Sequence, residues 1–139
     1  RYRQINRHQH CRVITMYPFD HFITFLPVLD LKATVHFYQD ILTLPLVRDQ
    51  GDCKIFRISS SGYIGFCLRS EIPIPSKSII LTLVTNDVDE WFTRMTSNGA
   101  DVEKPPTYNP KYKIYHAFIL DPNGYRIEIQ RFDDPLPAE

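Results

Sequence analysis

Apolar positions along the chain recur with two alternating periods. A nearly continuous apolar run over 22–29 ends at Asp30, a side chain suited to cap a helix. Leu31, Val35, Tyr38 and Leu42 then fall at i, i+4, i+7 and i+11, the stripe of an amphipathic helix, and Pro45 closes it. Residues 46–48 predict a short strand and 54–58 a longer one, with Ser59-Ser60-Ser61-Gly62 as a turn into a strand over 63–69. Residues 70–77, holding Pro73 and Pro75, read as an extended linker. The pattern then restarts with a strand over 78–85. Asp87, with Glu90 three residues later, predicts a capping box. Val88, Trp91, Phe92 and Met95 supply the helical stripe, and Asn98-Gly99 ends it. Residues 104–113, with three prolines and two tyrosines, predict a loop.

The strongest local signal lies near the end. Asp121-Pro122-Asn123-Gly124 separates two β-rich runs, because Pro pre-sets φ and Gly accepts φ > 0, so the stretch predicts a hairpin. With those four residues as the loop, Leu120 faces Tyr125, Ile119 faces Arg126 and Ala117 lies beside Glu128. Strand alternation then assigns Tyr115, Ala117, Ile119, Arg126, Glu128 and Gln130 to one face. His116, Phe118, Leu120, Tyr125, Ile127 and Ile129 form the other, expected to be core.

Two halves of one order follow. The caps Asp30 and Asp87 are 57 residues apart, and the turns Gly62-Tyr63 and Gly124-Tyr125 are 62 apart, a difference accounted for by the longer loop at 104–113. The predicted class is α+β: two βαβββ modules, about 21–70 and 78–132, forming a cleft between curved mixed sheets. Residues 1–15 are polar and lack hydrophobic period, so they read as an N-terminal extension to a single domain over 16–139.

Composition narrows the partners. With 139 residues and 43% hydrophobic content the chain is long enough for one buried core and short for two. Formal charge is zero: Arg1, Arg3, Arg7 and Arg12 against Asp20 give the first twenty residues +3, leaving −3 on the rest. A nucleic-acid partner is therefore not expected. No apolar run approaches the length of a membrane span, and no signal-peptide h-region precedes the domain. Cys11, Cys53 and Cys67 show neither disulfide-framework nor zinc spacing, so three free thiols and a cytoplasmic location are expected.

Leu29-Asp-Leu-Lys-Ala-Thr-Val-His-Phe-Tyr38, Asn86-Asp-Val-Asp-Glu-Trp-Phe92 and, above all, Asp121-Pro-Asn-Gly-Tyr-Arg-Ile-Glu-Ile129 resemble the vicinal oxygen chelate superfamily, the group of glyoxalase I, bleomycin-resistance proteins and extradiol dioxygenases. The likeness covers about residues 21–132. It implies a fold that serves isomerisation, ring cleavage and plain ligand sequestration alike. Metal enzymes of the group place ligands at equivalent points of both halves. The last-strand carboxylate matches Glu128. Counting four residues past the turn glycine gives Phe66 in the first half, and counting seven before each cap gives Ile23 and Ile80. Those three side chains cannot ligate, and a lasting transition-metal site needs at least three N, O or S donors. Of the histidines, His21 and His36 are weak substitutes, His116 reads as structural, and His8 and His10 fall in the extension.

The resemblance thus implies a bleomycin-resistance-like protein, without cofactor or metal, that sequesters a hydrophobic, aromatic or cationic molecule, a class that includes antibiotics. The alternative is a metal-dependent glyoxalase- or dioxygenase-type enzyme. Small two-module members commonly complete their clefts by dimerising, so a homodimer is expected. Strand parity nominates Ile23, Phe25, Ile80, Thr82, Arg57, Phe66 and Tyr115 as cleft lining. Tyr108 and Tyr112 are expected at its mouth, and Glu128 is expected to be paired with Arg126 or Arg57 or free to meet a cation.

Overall fold

The computed structural model describes residues 17–72 and 75–137; the extension expected over 1–15 lies outside them. The first module runs β1 (Phe22–Val28), α1 (Leu31–Val35), β2 (Leu46–Asp49), β3 (Cys53–Arg57) and β4 (Gly62–Leu68). The second runs β5 (Ile80–Val84), α2 (Val88–Ser97), β6 (Asp101–Asn109), β7 (Ile114–Leu120) and β8 (Arg126–Phe132). Each forms a four-stranded mixed sheet, in the orders β1-β4-β3-β2 and β5-β8-β7-β6. The two orders are equivalent, as the internal repeat predicts.

Asp30 caps α1, its carboxylate accepting from Ala33 N at 2.9 Å. The helix continues as a π-helical turn over His36–Ile41, with Leu42 N donating to Phe37 O at 3.0 Å. The extra residue per turn widens the buried stripe: Thr34, Phe37 and Ile41 join Tyr38 and Leu42 in the core. Asp87 opens α2 without the predicted capping box, since its side chain accepts no cap hydrogen bond.

Three local expectations are corrected. Residues 104–109 of the expected 104–113 loop belong to strand β6, and Pro105 and Pro106 are tolerated there because β6 is an edge strand with register shifts on both sides of Lys104. Cys53 and Cys67, directly opposed on β3 and β4, are joined as a disulfide rather than free, which removes the thiol argument for a reducing compartment. The β7–β8 loop has five residues instead of four, because Asp121 Oδ1 accepts from both Asn123 N and Tyr125 N, each at 2.8 Å. Tyr125 joins the turn, and β7 pairs with β8 one residue out of the expected register: Phe118 faces Glu128 and Ala117 faces Ile129.

That shift exchanges faces. Only β7 is affected: Ala117 and Ile119 join Ile127 and Ile129, which are core as expected, on the side of α2, while His116 and Phe118 share the open face with Arg126, Glu128 and Gln130. The helix-side faces of both sheets meet in one apolar core running from Leu26, Phe56 and Phe66 to Met95, Ile119 and Ile127. Polar contacts fasten the junction. Tyr38 Oη donates to Asp121 Oδ2 at 2.8 Å, Asn123 Nδ2 donates to Thr34 Oγ1 at 3.1 Å, and Arg94 Nε donates to Ile41 O at 2.7 Å. Burial holds the Asp121 carboxyl above the usual aspartate range, against the opposing pull of Tyr38, Asn123 and two backbone amides. Tyr38→Phe removes the only side-chain donor that reaches Asp121 from the first module among the described residues. We expect it to lower unfolding free energy by about 1–3 kcal/mol; an unchanged urea midpoint would show that the junction does not depend on this bond.

Candidate functional site

Each sheet keeps one face away from the core. In the first module that open face carries Ile23, Phe25 and Pro27 of β1, with Tyr63, Gly65 and Cys67 of β4 beside them. Phe25 is 50% exposed and its ring lies across Gly65, where even a methyl group would collide with it. In the second module the open face carries Ile80, Thr82 and Val84, aligned with Arg126, Glu128 and Gln130. Ile80 and Val84 are exposed, whereas Glu128, His116 and Gln130 are buried.

Glu128 is the centre of this second face. Its Oε1 accepts from Thr82 Oγ1 at 2.8 Å and its Oε2 lies 2.6 Å from His116 Nδ1. The Gln130 amide, with its nitrogen toward the carboxylate, donates to both oxygens at 2.9 and 3.1 Å. A carboxylate partner makes His116 Nδ1 the donor, so Nε2 of the neutral ring is an acceptor; it is buried with no hydrogen-bond partner among the described residues. Arg126 turns elsewhere, its Nε lying 2.8 Å from Glu103 Oε1 in an ion pair whose angle is not that of a hydrogen bond. Arg57 donates to Tyr63 Oη and to Ser60 O at the far module. The pairing of Glu128 with either arginine is therefore replaced by Thr82, His116 and Gln130.

Other nominated residues separate. Ile23, Phe25, Ile80, Thr82, Arg126 and Glu128 lie on open faces, as does Arg57 beside Tyr63. Phe66 does not share the face of Arg57: it is fully buried on the helix side next to Leu26 and Tyr38. Tyr115 likewise faces α2, where its hydroxyl donates to Asp89, so Tyr115 and Glu128 occupy opposite faces. Tyr108 on β6 donates to Asp133 Oδ2 at 2.6 Å, and Tyr112 is exposed at the β6–β7 turn. A four-residue loop puts His116 on the core face, and the fifth loop residue, Tyr125, brings it beside Glu128.

The register also identifies the true counterpart of Glu128. Ile23 pairs with Tyr63 as Ile80 pairs with Arg126, so Gly65 in the first module stands where Glu128 stands in the second. The four positions that hold metal in metalloenzymes of this fold are thus Ile23, Gly65, Ile80 and Glu128, and the single carboxylate is already saturated by protein donors. The donor set does not fit a metal. Among the described residues no group of three His, Cys, Asp or Glu side chains gathers elsewhere to form one. No helix there is long and apolar enough to cross a membrane.

The sequence profile of the Glyoxalase/Bleomycin resistance protein/Dioxygenase superfamily matches residues 19–129. No curated protein matches the chain. Among solved structures, TioX from Micromonospora sp. ML1 is 21% identical with a TM-score of 0.67, over 80% of this chain and 97% of that one. A glyoxalase/bleomycin resistance protein/dioxygenase from Nocardioides is 17% identical with a TM-score of 0.70, over 91% and 92% of the two chains. A glyoxalase-related enzyme from Fulvimarina pelagi is 18% identical with a TM-score of 0.69, over 84% and 91%. At these identities the likeness is one of fold.

Truncating His116 leaves Glu128 Oε2 buried with fewer donors. His116→Ala should cost about 2–4 kcal/mol of unfolding free energy, read from urea denaturation, with His116→Gln recovering part of it; two variants as stable as the parent would mean that the pair carries no stabilising bond.

Proposed function

This chain belongs to the glyoxalase/bleomycin resistance protein/dioxygenase superfamily, and from that membership we propose that it is a metal-free small-molecule binding protein. The observation that carries the reading is the state of Glu128. A carboxylate at the family's ligand position that accepts from Thr82, His116 and Gln130 has no lone pair directed at a metal, and its three companion positions are Ile23, Gly65 and Ile80. Lewis-acid chemistry on a bound oxygen needs donors that this set does not supply.

What remains suits binding. Ile23, Phe25, Ile80 and Val84 expose apolar surface on the two open faces, next to a small number of fixed polar groups, as ligand sites do. With its carboxylate buried and fully hydrogen-bonded by protein donors, the second face selects by shape and hydrogen bonding more than by charge. The ligand class that follows is a planar or apolar compound, held by stacking on Phe25 and desolvation over Ile80. Sequestration of such a compound, as in bleomycin resistance, needs no chemistry from the protein.

The same exposed residues support a homodimer. Because the helix sides of the modules pack against each other within the chain, both open faces point away from the shared core, and a second copy brings a first-module face against a second-module face. Protein purified without chelator should carry no stoichiometric Zn, Ni, Mn or Fe by elemental analysis; near-unit occupancy lost on Glu128→Ala would overturn the metal-free reading. Sedimentation at tens of micromolar should give a species of twice the 16.3 kDa chain mass. A lone 16.3 kDa species would remove the shared cleft.

A further inference from the structure

A second apolar site lies between the modules, at their unpaired edge strands; it shares Ile80, Thr82 and Val84 with the second open face but does not depend on the metal-free reading. The edge strands β1 and β5 are not paired to each other and flank a groove there. At one end it encloses about 250 Å³ among Phe22, Thr24, Tyr63 and Ile80. At the other it encloses about 410 Å³ beside Trp91 and Met95. Leu44, Ile58, Thr82 and Leu83 line both volumes, so they form one channel with a common waist. No charged residue lines either part.

Cations stand beside both ends: the Arg94 guanidinium lies 5.9 Å from the centroid of the Trp91 ring, but two backbone carbonyls, Ile41 O and Asp40 O, hold it at the module junction. The Arg57 guanidinium lies 5.0 Å from the centroid of the Tyr63 ring and donates to its hydroxyl, and His21 packs edge-on against the same ring at 5.0 Å. Arg57 is exposed, and its remaining contact is to a backbone carbonyl, Ser60 O, so no acidic side chain among the described residues neutralises it. An uncharged channel along β5, about 13 Å from Ile80 to Val84, whose less committed cation is Arg57 at the Tyr63 end, has the complementarity of a single-chain amphiphile with an anionic head. We propose that this groove binds a medium-chain aliphatic carboxylate, its chain over Leu83 and Ile58 toward Trp91 and its head group at Arg57.

Trp91 is the only tryptophan in the chain and reports on the far end of the groove. Titrating the full chain with dodecanoate below its micellar concentration should give a saturable change in Trp91 emission, with matching calorimetric stoichiometry of one. Arg57→Gln should weaken dodecanoate about tenfold and leave uncharged 1-dodecanol unchanged. Ile58→Asp, at a partly exposed position of the waist, should abolish both, while Val102→Ala, at an exposed position of the edge strand β6, should change neither. No saturable response, equal effects of Arg57→Gln on the two compounds, or an Ile58→Asp protein that still binds would overturn the proposal. Loss on Val102→Ala with Ile58→Asp unaffected would also overturn it, and would move the ligand away from the groove without touching the metal-free reading.

Discussion

The buried carboxylate of Asp121 is the constraint on which the rest of the second module depends. One oxygen draws in two backbone amides and fixes the length of the β7–β8 loop; the other receives the Tyr38 hydroxyl from the first module. Loop length sets register, and register sets which residues face the core. The same side chain therefore decides that Ala117 and Ile119 are buried on the side of α2, that His116 stands next to Glu128, and that the two halves are held at a common seam. Its own cost, that of holding a carboxylate out of water, is offset only in part by the donors it organises.

Much of this architecture is written in the residue pattern. The period-3.6 stripes from Leu31 and Val88, the Asp30 cap and the equal order of turns mark both modules, because each of these signals is local. What failed was side-chain chemistry that acts over a few residues. Asp-Pro-Asn-Gly reads as a four-residue turn until the Asp121 side chain is allowed to recruit Tyr125, and that single count reverses the faces of His116 and Tyr115. In the first module, counting from the turn glycine leads to Phe66, while pairing across β1 leads to Gly65. Prolines at 105 and 106 argue against strand in general and are compatible with it at an edge. The Cys53–Cys67 bond was hidden by a similar count: a four-residue Ser59–Gly62 turn puts Cys53 opposite Leu68, whereas the pairing of Arg57 with Tyr63 brings it opposite Cys67.

The two modules have diverged in the way they use equivalent positions. Where the second holds a carboxylate wrapped in donors, the first holds a glycine under an aromatic ring. One face offers flat apolar surface and the other a rigid polar network, on the same strand order. Of the four equivalent positions Ile23, Gly65, Ile80 and Glu128, only Glu128 carries a donor, and that one is committed internally.

The disulfide has a topological effect that packing alone does not supply. Cys53 and Cys67 bridge β3 and β4 on either side of their exposed turn, enclosing it in a covalent ring. A protease that cuts at Ser60 or Ser61 therefore opens the loop without freeing either fragment. The severed hairpin keeps its strand partners at high effective concentration, and the nick shows as two bands only after reduction.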